Sequence, residues 1–310
     1  VLGKPMKEPQ DVPFEKEGKY LKSDNRSNIS YFLEHNVLLR RFTLSVGVLA
    51  NYNSALNEGI HFYPGIDASY RIGDNFRLYG SWNRALRMPT FTDLYYEGKT
   101  NKGNPDLKPE ESEAFEVGLK YNTYFLRAHI AGFYRKGKNM IDWVKEKPED
   151  IWESRNLTKV DNLGFETNLS LLPRELGNER FFIRKIELGY AFIHQDKDSE
   201  GYISNYALDY LKHKFTAQLS HSIWKGFSAT WYVRWQDRAG SYTKYENLKP
   251  AYEEPYAPYC LVDMKVNWEY QRLNLYAELN NLLNSTYYDL GNIPQPGIWF
   301  KAGFRYSFKY

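Results

Sequence analysis

The sequence predicts an all-β chain built of transmembrane strands in an antiparallel up-and-down β-barrel. Three observations predict it: side chains alternate with period two almost throughout, aromatic residues are in excess, and the connections alternate between short and long. The 310 residues are 42% hydrophobic yet 17% aromatic, with 27 Tyr, 18 Phe and 8 Trp. Tyr and Trp join an apolar body to a polar tip, so they collect where hydrocarbon meets water, as in the girdles of membrane barrels.

Mean hydropathy is −0.65, and no stretch approaches the roughly 18 consecutive apolar residues of a membrane helix. A barrel strand hides only alternate side chains in lipid, so its average stays hydrophilic.

Along the chain, tight turns are expected at Arg40-Arg41, Gly73-Asp74-Asn75, Asn122-Thr123-Tyr124, Trp224-Lys225-Gly226 and Gln271, with a longer turn from Pro173 to Arg180. Wide connections are expected near 53–62, 86–111, 136–152, 195–207, 239–256 and 285–296. The alternation is clearest late in the chain. Phe227, Ala229, Trp231, Val233 and Trp235 share one face; so do Val262, Met264, Val266, Trp268 and Tyr270, then Leu273, Leu275, Ala277 and Leu279, then Ile298, Phe300, Ala302, Phe304, Tyr306 and Phe308. Runs of about 10 to 12 residues match tilted membrane-crossing strands, whereas ordinary strands average about five or six.

This reading gives about 13 strands, entering on the long-loop side and leaving on the short-turn side. With an odd number, first and last strands run the same way and cannot close an antiparallel barrel. Unpaired edges in lipid are costly, so further strands are expected from the same protein or from a partner.

The net charge of +3 is small and spread in both signs, without the basic footprint of a nucleic-acid binder. Cys260 is the only cysteine, which excludes an internal disulfide and Cys-based zinc spacing. The six histidines lack metal spacing, and Gly-x-Ser-x-Gly, phosphate-loop and HExxH patterns are absent. No metal, cofactor or catalytic residue is therefore expected. A barrel enzyme would have to start from His129 or His194, neither of which has a convincing partner. Val1-Leu2-Gly3-Lys4-Pro5 lacks signal-peptide regions, as would a mature or truncated chain.

Two groups of candidate site residues follow. Inward charges of both signs, Arg77, Glu116, Lys120, Arg127, Glu166, Glu187, Arg234, Asp263, Lys265, Glu278, Lys301 and Arg305, suit a wet lumen. Their expected role is to seat a plug through ion pairs and hydrogen bonds; in an open pore they would set ion selectivity. Aromatic residues of the wide connections, Phe91, Tyr95 and Tyr96, then Tyr202 and Tyr206, then Tyr242, Tyr245 and Tyr252, then Tyr287 and Tyr288, are candidates to line an extracellular bowl. The structural alternative is that each is a girdle or loop-packing residue, and that Asn104-Pro105-Asp106-Leu107 and Pro109-Glu110 fold their loop and open the next strand.

The run Trp82-Asn83-Arg84-Ala85-Leu86-Arg87-Met88-Pro89-Thr90-Phe91-Thr92-Asp93-Leu94-Tyr95-Tyr96, followed by Gly103-Asn104-Pro105-Asp106-Leu107-Lys108-Pro109-Glu110-Glu111-Ser112, resembles the mid-barrel signature of TonB-dependent receptors. Glu116-Val117-Gly118-Leu119-Lys120 fits it too, as does Leu279-Asn280-Asn281-Leu282-Leu283-Asn284 before a final strand with aromatic Phe308 and Tyr310. The resemblance covers essentially the whole chain, 1–310, as the C-terminal part of such a barrel. It implies about 22 strands around an N-terminal plug, a short TonB-binding motif upstream, energy from TonB, ExbB and ExbD, and a Gram-negative outer-membrane location. The Leu-Arg-Met-Pro-Thr-Phe-Thr-Asp-Leu-Tyr-Tyr variant resembles cobalamin receptors of Bacteroidota, in which a surface lipoprotein often passes ligand on. Haem and ferric-siderophore receptors share the same core and remain open, with His194 placed where a haem receptor would use one. A passive porin-like barrel is the rival class.

Overall fold

The computed structural model describes residues 6–7, 20–22, 25–54, 59–147, 149–177, 180–198, 201–204, 210–246 and 249–308. Thirteen long strands follow one another as nearest neighbours in a single antiparallel sheet. They are β1 (Asn28–Leu38), β2 (Phe42–Asn53), β3 (Ile60–Ile72), β4 (Phe76–Arg87), β5 (Glu110–Asn122), β6 (Leu126–Lys145), β7 (Trp152–Leu171), β8 (Ile183–Asp198), β9 (Tyr210–Trp224), β10 (Phe227–Ala239), β11 (Tyr259–Tyr270), β12 (Leu273–Asn280) and β13 (Trp299–Tyr306). Each pairs with the next in chain order. Such an up-and-down arrangement follows from local connections alone.

Register carries the sequence alternation across the sheet, because directly opposed residues of an antiparallel pair share a face. One row runs Leu78, Leu119, Ile130, Thr167 and Tyr190 from β4 to β8, and another runs Trp231, Met264, Leu279 and Phe300 from β10 to β13. These side chains have no protein layer over them: Val117 is 59% exposed, Ile130 52% and Phe304 74%. Large apolar groups left bare in this way on a continuous face need a hydrocarbon solvent. Tyr121, Trp224, Trp268, Tyr270 and Tyr306 collect towards the tight-turn rim as a girdle, with Phe227 against Trp268 at 6.0 Å and Phe308 edge-on to Tyr306 at 4.9 Å. Tyr310 lies outside the described residues.

One expectation about the connections is corrected. Residues 136–152 do not form a wide loop: β6 and β7 stay paired as far as Val144 and Glu153, leaving only a short turn. Above the lipid the segment packs against other loops, Trp143 edge-on to Tyr96 and Asp142 bonded by Ser204, so the alternation set by lipid is lost and the run reads as loop in sequence. The connections 239–256 and 285–296 are wide, as expected. They contain hairpins, Ser241–Glu246 with Lys249–Pro255 and Tyr288–Leu290 with Ile293–Pro294. The tight turns fall where expected, and Pro173–Leu176 is a single 3-10 turn.

The sheet is open. Among the described residues neither the outer edge of β1 nor that of β13 has a strand partner, and the two run in the same direction.

Candidate functional site

The inner face carries the charged side chains. Register puts Arg77 opposite Lys120, Lys120 opposite His129, Arg234 opposite Thr216, Lys265 opposite Glu278 and Glu278 opposite Lys301, all on the face turned away from the apolar rows. One concavity of this wall is lined by Lys120, Arg127, Glu187, Arg234 and Asp263, and a second by Lys265, Glu278 and Arg305. Tyr79 donates to Glu116 at 2.8 Å and shares a hydrogen bond of 2.7 Å with Nε2 of His129, while Lys120 lies 4.6 Å above its ring. The ring crosses Gly118, where a β-carbon would meet it at 2.5 Å. Glu166 lies 3.9 Å from Nδ1 of His129. Further round, Glu278 is held between Lys265 at 2.8 Å and Lys301 at 2.9 Å. Asp263 accepts from the Asn281 amide at 2.7 Å. Arg77, Arg127, Arg234 and Arg305 have no ion-pair partner among the described residues.

The connection after β4 folds on its own backbone. Arg87 forks onto the buried Glu110 with two contacts of 2.5 Å, and Glu110 also accepts from the Ile141 amide at 2.8 Å. Pro89 is buried. Thr90 then caps α1 (Phe91–Tyr95) in a reciprocal capping box with Asp93. The Asp93 carbonyl accepts from Ser154 Oγ at 2.5 Å and from the Asn104 amide at 2.9 Å. Gly103 packs so closely that a β-carbon would lie 2.8–2.9 Å from backbone atoms of Asp93, Leu94 and Tyr95. Asn101–Lys102 pairs in parallel with the start of β7. Nearly every residue of the resemblance motif here is therefore used in folding. Phe91 and Tyr95 stack on one another at 6.3 Å, and Arg26 lies 5.0 Å over Phe91. Tyr96 stays 48% exposed and meets Trp143 edge-on.

Tyr202 is bound to β7, its hydroxyl accepting from Arg155 and its ring lying 4.8 Å beneath the same guanidinium. Tyr206 lies outside the described residues.

A second aromatic group joins the hairpins after β10 and β12. Tyr242 lies 5.1 Å from Tyr256 and 5.8 Å from Tyr288, and Tyr259 lies 4.7 Å from Tyr287. Lys244 is 5.8 Å from the rings of both Tyr242 and Tyr288, and its ammonium pairs with Glu254 at 2.7 Å. Glu254 also accepts from the Tyr242 hydroxyl at 3.1 Å. The Lys244 ammonium holds the Glu254 carboxyl below the ordinary carboxylate range, and Glu254 raises Lys244 in return. Burial and the bond to Glu254 raise the Tyr242 hydroxyl. Gly291 abuts Tyr242, where a β-carbon would collide with its side chain. The structure thus brings Tyr242 and Tyr288 together and sets Tyr287 against Tyr259, whereas Tyr245 and Tyr252 stay 54% and 53% exposed. Tyr256, Tyr259 and Lys244 were missed as candidates. The signal available was a lysine set among tyrosines in Tyr242-Thr243-Lys244-Tyr245.

His194 sits opposite Leu163 on the lipid face, away from both lumen and loops, which removes the residue-level pointer to haem. His129 is on the inner wall among Tyr79 and carboxylates.

Residues 8–282 match the family described as TonB dependent receptor-like, beta-barrel. The vitamin B12 transporter BtuB of Vibrio vulnificus (strain YJ016) is 26% identical over 225 residues, covering 54% of this chain and 36% of the relative. The ferrienterobactin receptor of Escherichia coli (strain K12) is 22% identical over 297 residues, covering 86% and 38%. A ferric enterobactin receptor mutant of Pseudomonas aeruginosa, solved with enterobactin, superposes with a TM-score of 0.73 at 19% identity, over 92% of this chain and 46% of that one. The chain therefore spans well under two thirds of these relatives' length. With a matched barrel domain, a bare apolar outer face and a charged inner one, the chain belongs to the TonB-dependent receptors of the Gram-negative outer membrane, as part of their β-barrel.

Proposed function

We propose that the full-length receptor imports cobalamin across the outer membrane. The observation that carries this reading is the vitamin B12 transporter relative, 26% identical over 225 residues. The joined hairpins support it, since Tyr242, Tyr256 and Tyr288 offer flat apolar area and hydroxyl donors to a bulky ligand. Ligand captured there passes to a lumen closed by the receptor's own plug, and TonB, with ExbB and ExbD, pulls on the plug from the periplasm; no bond in the ligand changes. A surface lipoprotein hands ligand to the loops. Arg77, Arg127, Arg234 and Arg305, which lack counter-ions in this wall, receive acidic groups of the plug. Strands preceding β1 pair with the open edges and close the barrel in lipid.

A ferric siderophore is the second reading, favoured by the ferrienterobactin receptor's match over 86% of this chain. Calorimetric titration of the full-length receptor with cyanocobalamin, ferric enterobactin and haem decides between them. Binding of cyanocobalamin alone is expected, and binding of ferric enterobactin without cyanocobalamin would replace the first reading by the second.

A further inference from the structure

Above the membrane, the hairpin that ends β6 and begins β7 is held from both sides, and its holders are crossed. Asn101–Lys102, from the connection between β4 and β5, pairs in parallel with Trp152 and Glu153 of β7. Ile203–Ser204, from the connection between β8 and β9, pairs antiparallel with Lys145 and Val144 of β6. Lower down, β6 offers that same edge to β5, and β7 offers its own outer edge to β8. Each connection has therefore passed over the hairpin to the edge beyond it. The one that leaves β4 ends on the β8 side, and the one that leaves β8 ends on the β5 side. Locally the strand order is Ile203–Ser204, β6, β7, Asn101–Lys102.

The side chains divide in the same way. Register places Trp143 opposite Ser154 on one face of the hairpin and Asp142 opposite Arg155 on the other. The first face meets the connection after β4: Ser154 Oγ donates to the Asp93 carbonyl at 2.5 Å, and Trp143 lies edge-on to Tyr96. The second face meets the connection after β8: Ser204 Oγ donates to Asp142, and Arg155 donates to the Tyr202 hydroxyl with its guanidinium 4.8 Å from that ring. Backbone bonds add to the first side, with the Trp152 amide 2.8 Å from the Thr100 carbonyl and Asn156 bonded to both the amide and the carbonyl of Lys108 at 2.8 and 2.9 Å. Val144, Asp142 and Ser154 are fully buried between the two covers. A two-stranded hairpin standing alone in water is marginal, and added strands or a covering layer are what make it hold.

We propose that these three connections form one clasped body, a conformational device that fixes this side of the extracellular mouth and makes the order of each loop depend on the others. Each strap is only two residues long, and each is seated on a hairpin whose other face is covered by its counterpart. Freeing Ile203–Ser204 uncovers Asp142 and Val144, and the loosened hairpin then gives up Asn101–Lys102; the same holds in reverse through Trp143 and Ser154. Three independent loops would instead keep one pairing whichever face of the hairpin were bare.

Hydrogen–deuterium exchange on the detergent-purified full-length receptor, read over 96–104 and 201–204 by mass spectrometry, tests the clasp without any ligand. Ser204→Ala takes from buried Asp142 the hydroxyl it accepts from, so exchange is expected to quicken about tenfold over 201–204 and by a similar factor over 96–104, across the hairpin. From the opposite side, Asn156→Ala, which frees the Lys108 backbone, should quicken 201–204 as well. In a Cys260→Ser background, Ile203→Cys with Lys145→Cys closes a disulfide across one strap and should slow exchange over 96–104, with the parent rate restored by reductant. Should either alanine variant fail to insert, the disulfide carries the test. Quickening confined to the strap that was altered, or a disulfide that leaves 96–104 unchanged, would overturn the clasp and leave three separate loops. Neither outcome depends on which nutrient the receptor imports.

Discussion

The connection after β4 and the pair of hairpins after β10 and β12 are both long and aromatic, yet they are built differently. The first spends its conspicuous residues on itself: Arg87, Glu110, Thr90, Asp93 and Gly103 lock a short helix against β7 through caps, a forked ion pair and a backbone approach that only glycine permits. The hairpins share part of this, with Gly291 packed on Tyr242 and hydrogen bonds from Asn292 to the Thr243 carbonyl and from the Gly291 amide to the Tyr256 hydroxyl, but no helix cap or forked ion pair joins them among the described residues. They meet through rings 5.1 and 5.8 Å apart and one lysine shared between two of them. The difference teaches that the most recognisable motif of the chain is scaffold, while the larger aromatic cluster lies in segments with no motif at all.

The sharpest way to break that comparison is Gly103→Leu. The side chain has only backbone to displace, so overpacking is expected to cost about 3 kcal/mol. Thermal unfolding of the full-length receptor, with protease sensitivity of 88–110, measures it; a variant as stable as the parent would mean that this loop is not the locked element described. Glu110→Ala comes next. It leaves the Arg87 guanidinium and the Ile141 amide without their acceptor, an expected loss of about 2 kcal/mol in the same melt.

Binding separates the two regions more finely. Tyr242→Ala with Tyr288→Ala should weaken ligand binding about tenfold with little change in melting, as for interfacial aromatic anchors, whereas Tyr95→Ala should leave affinity nearly unchanged. Titration calorimetry on each variant reads both, and the reverse ranking would move the ligand surface to the loop after β4.

The smallest effect is pH dependence of the hairpin contact. Glu254 is depressed by Lys244, so its contribution is present above the ordinary carboxylate range and lost as pH falls through its lowered value. Lys244 is raised by Glu254, so its contribution is present below the ordinary lysine range and lost only as pH rises through its raised value. Ligand affinity should therefore be flat from about pH 6 to 9 and fall below about pH 4, and Glu254→Gln should abolish the acid limb.

Much of the wall was legible from residues alone. Alternation in strands such as Phe227–Trp235 names the lipid-facing side chains because a strand reverses its side chains at every residue, whatever surrounds it. The positions of Lys265, Glu278 and Lys301 on the opposite face follow from the same geometry, although their joining at 2.8 and 2.9 Å needed register. What was not legible lies above the membrane. Residues 136–145 continue a strand that above the lipid packs against loop residues, Trp143 against Tyr96 and Asp142 against Ser204, so the alternation set by lipid vanishes while the backbone pairing persists.

By itself, then, the sequence determined the strand number, the direction of each face and the inability of this sheet to close, since all three depend on local period and parity. Only the tertiary structure decided which tyrosines meet and how the loop after β4 is locked. Those contacts join distant segments, as between Asp93 and Ser154, 61 residues apart, and no local pattern in a chain encodes which distant turn will be folded against it.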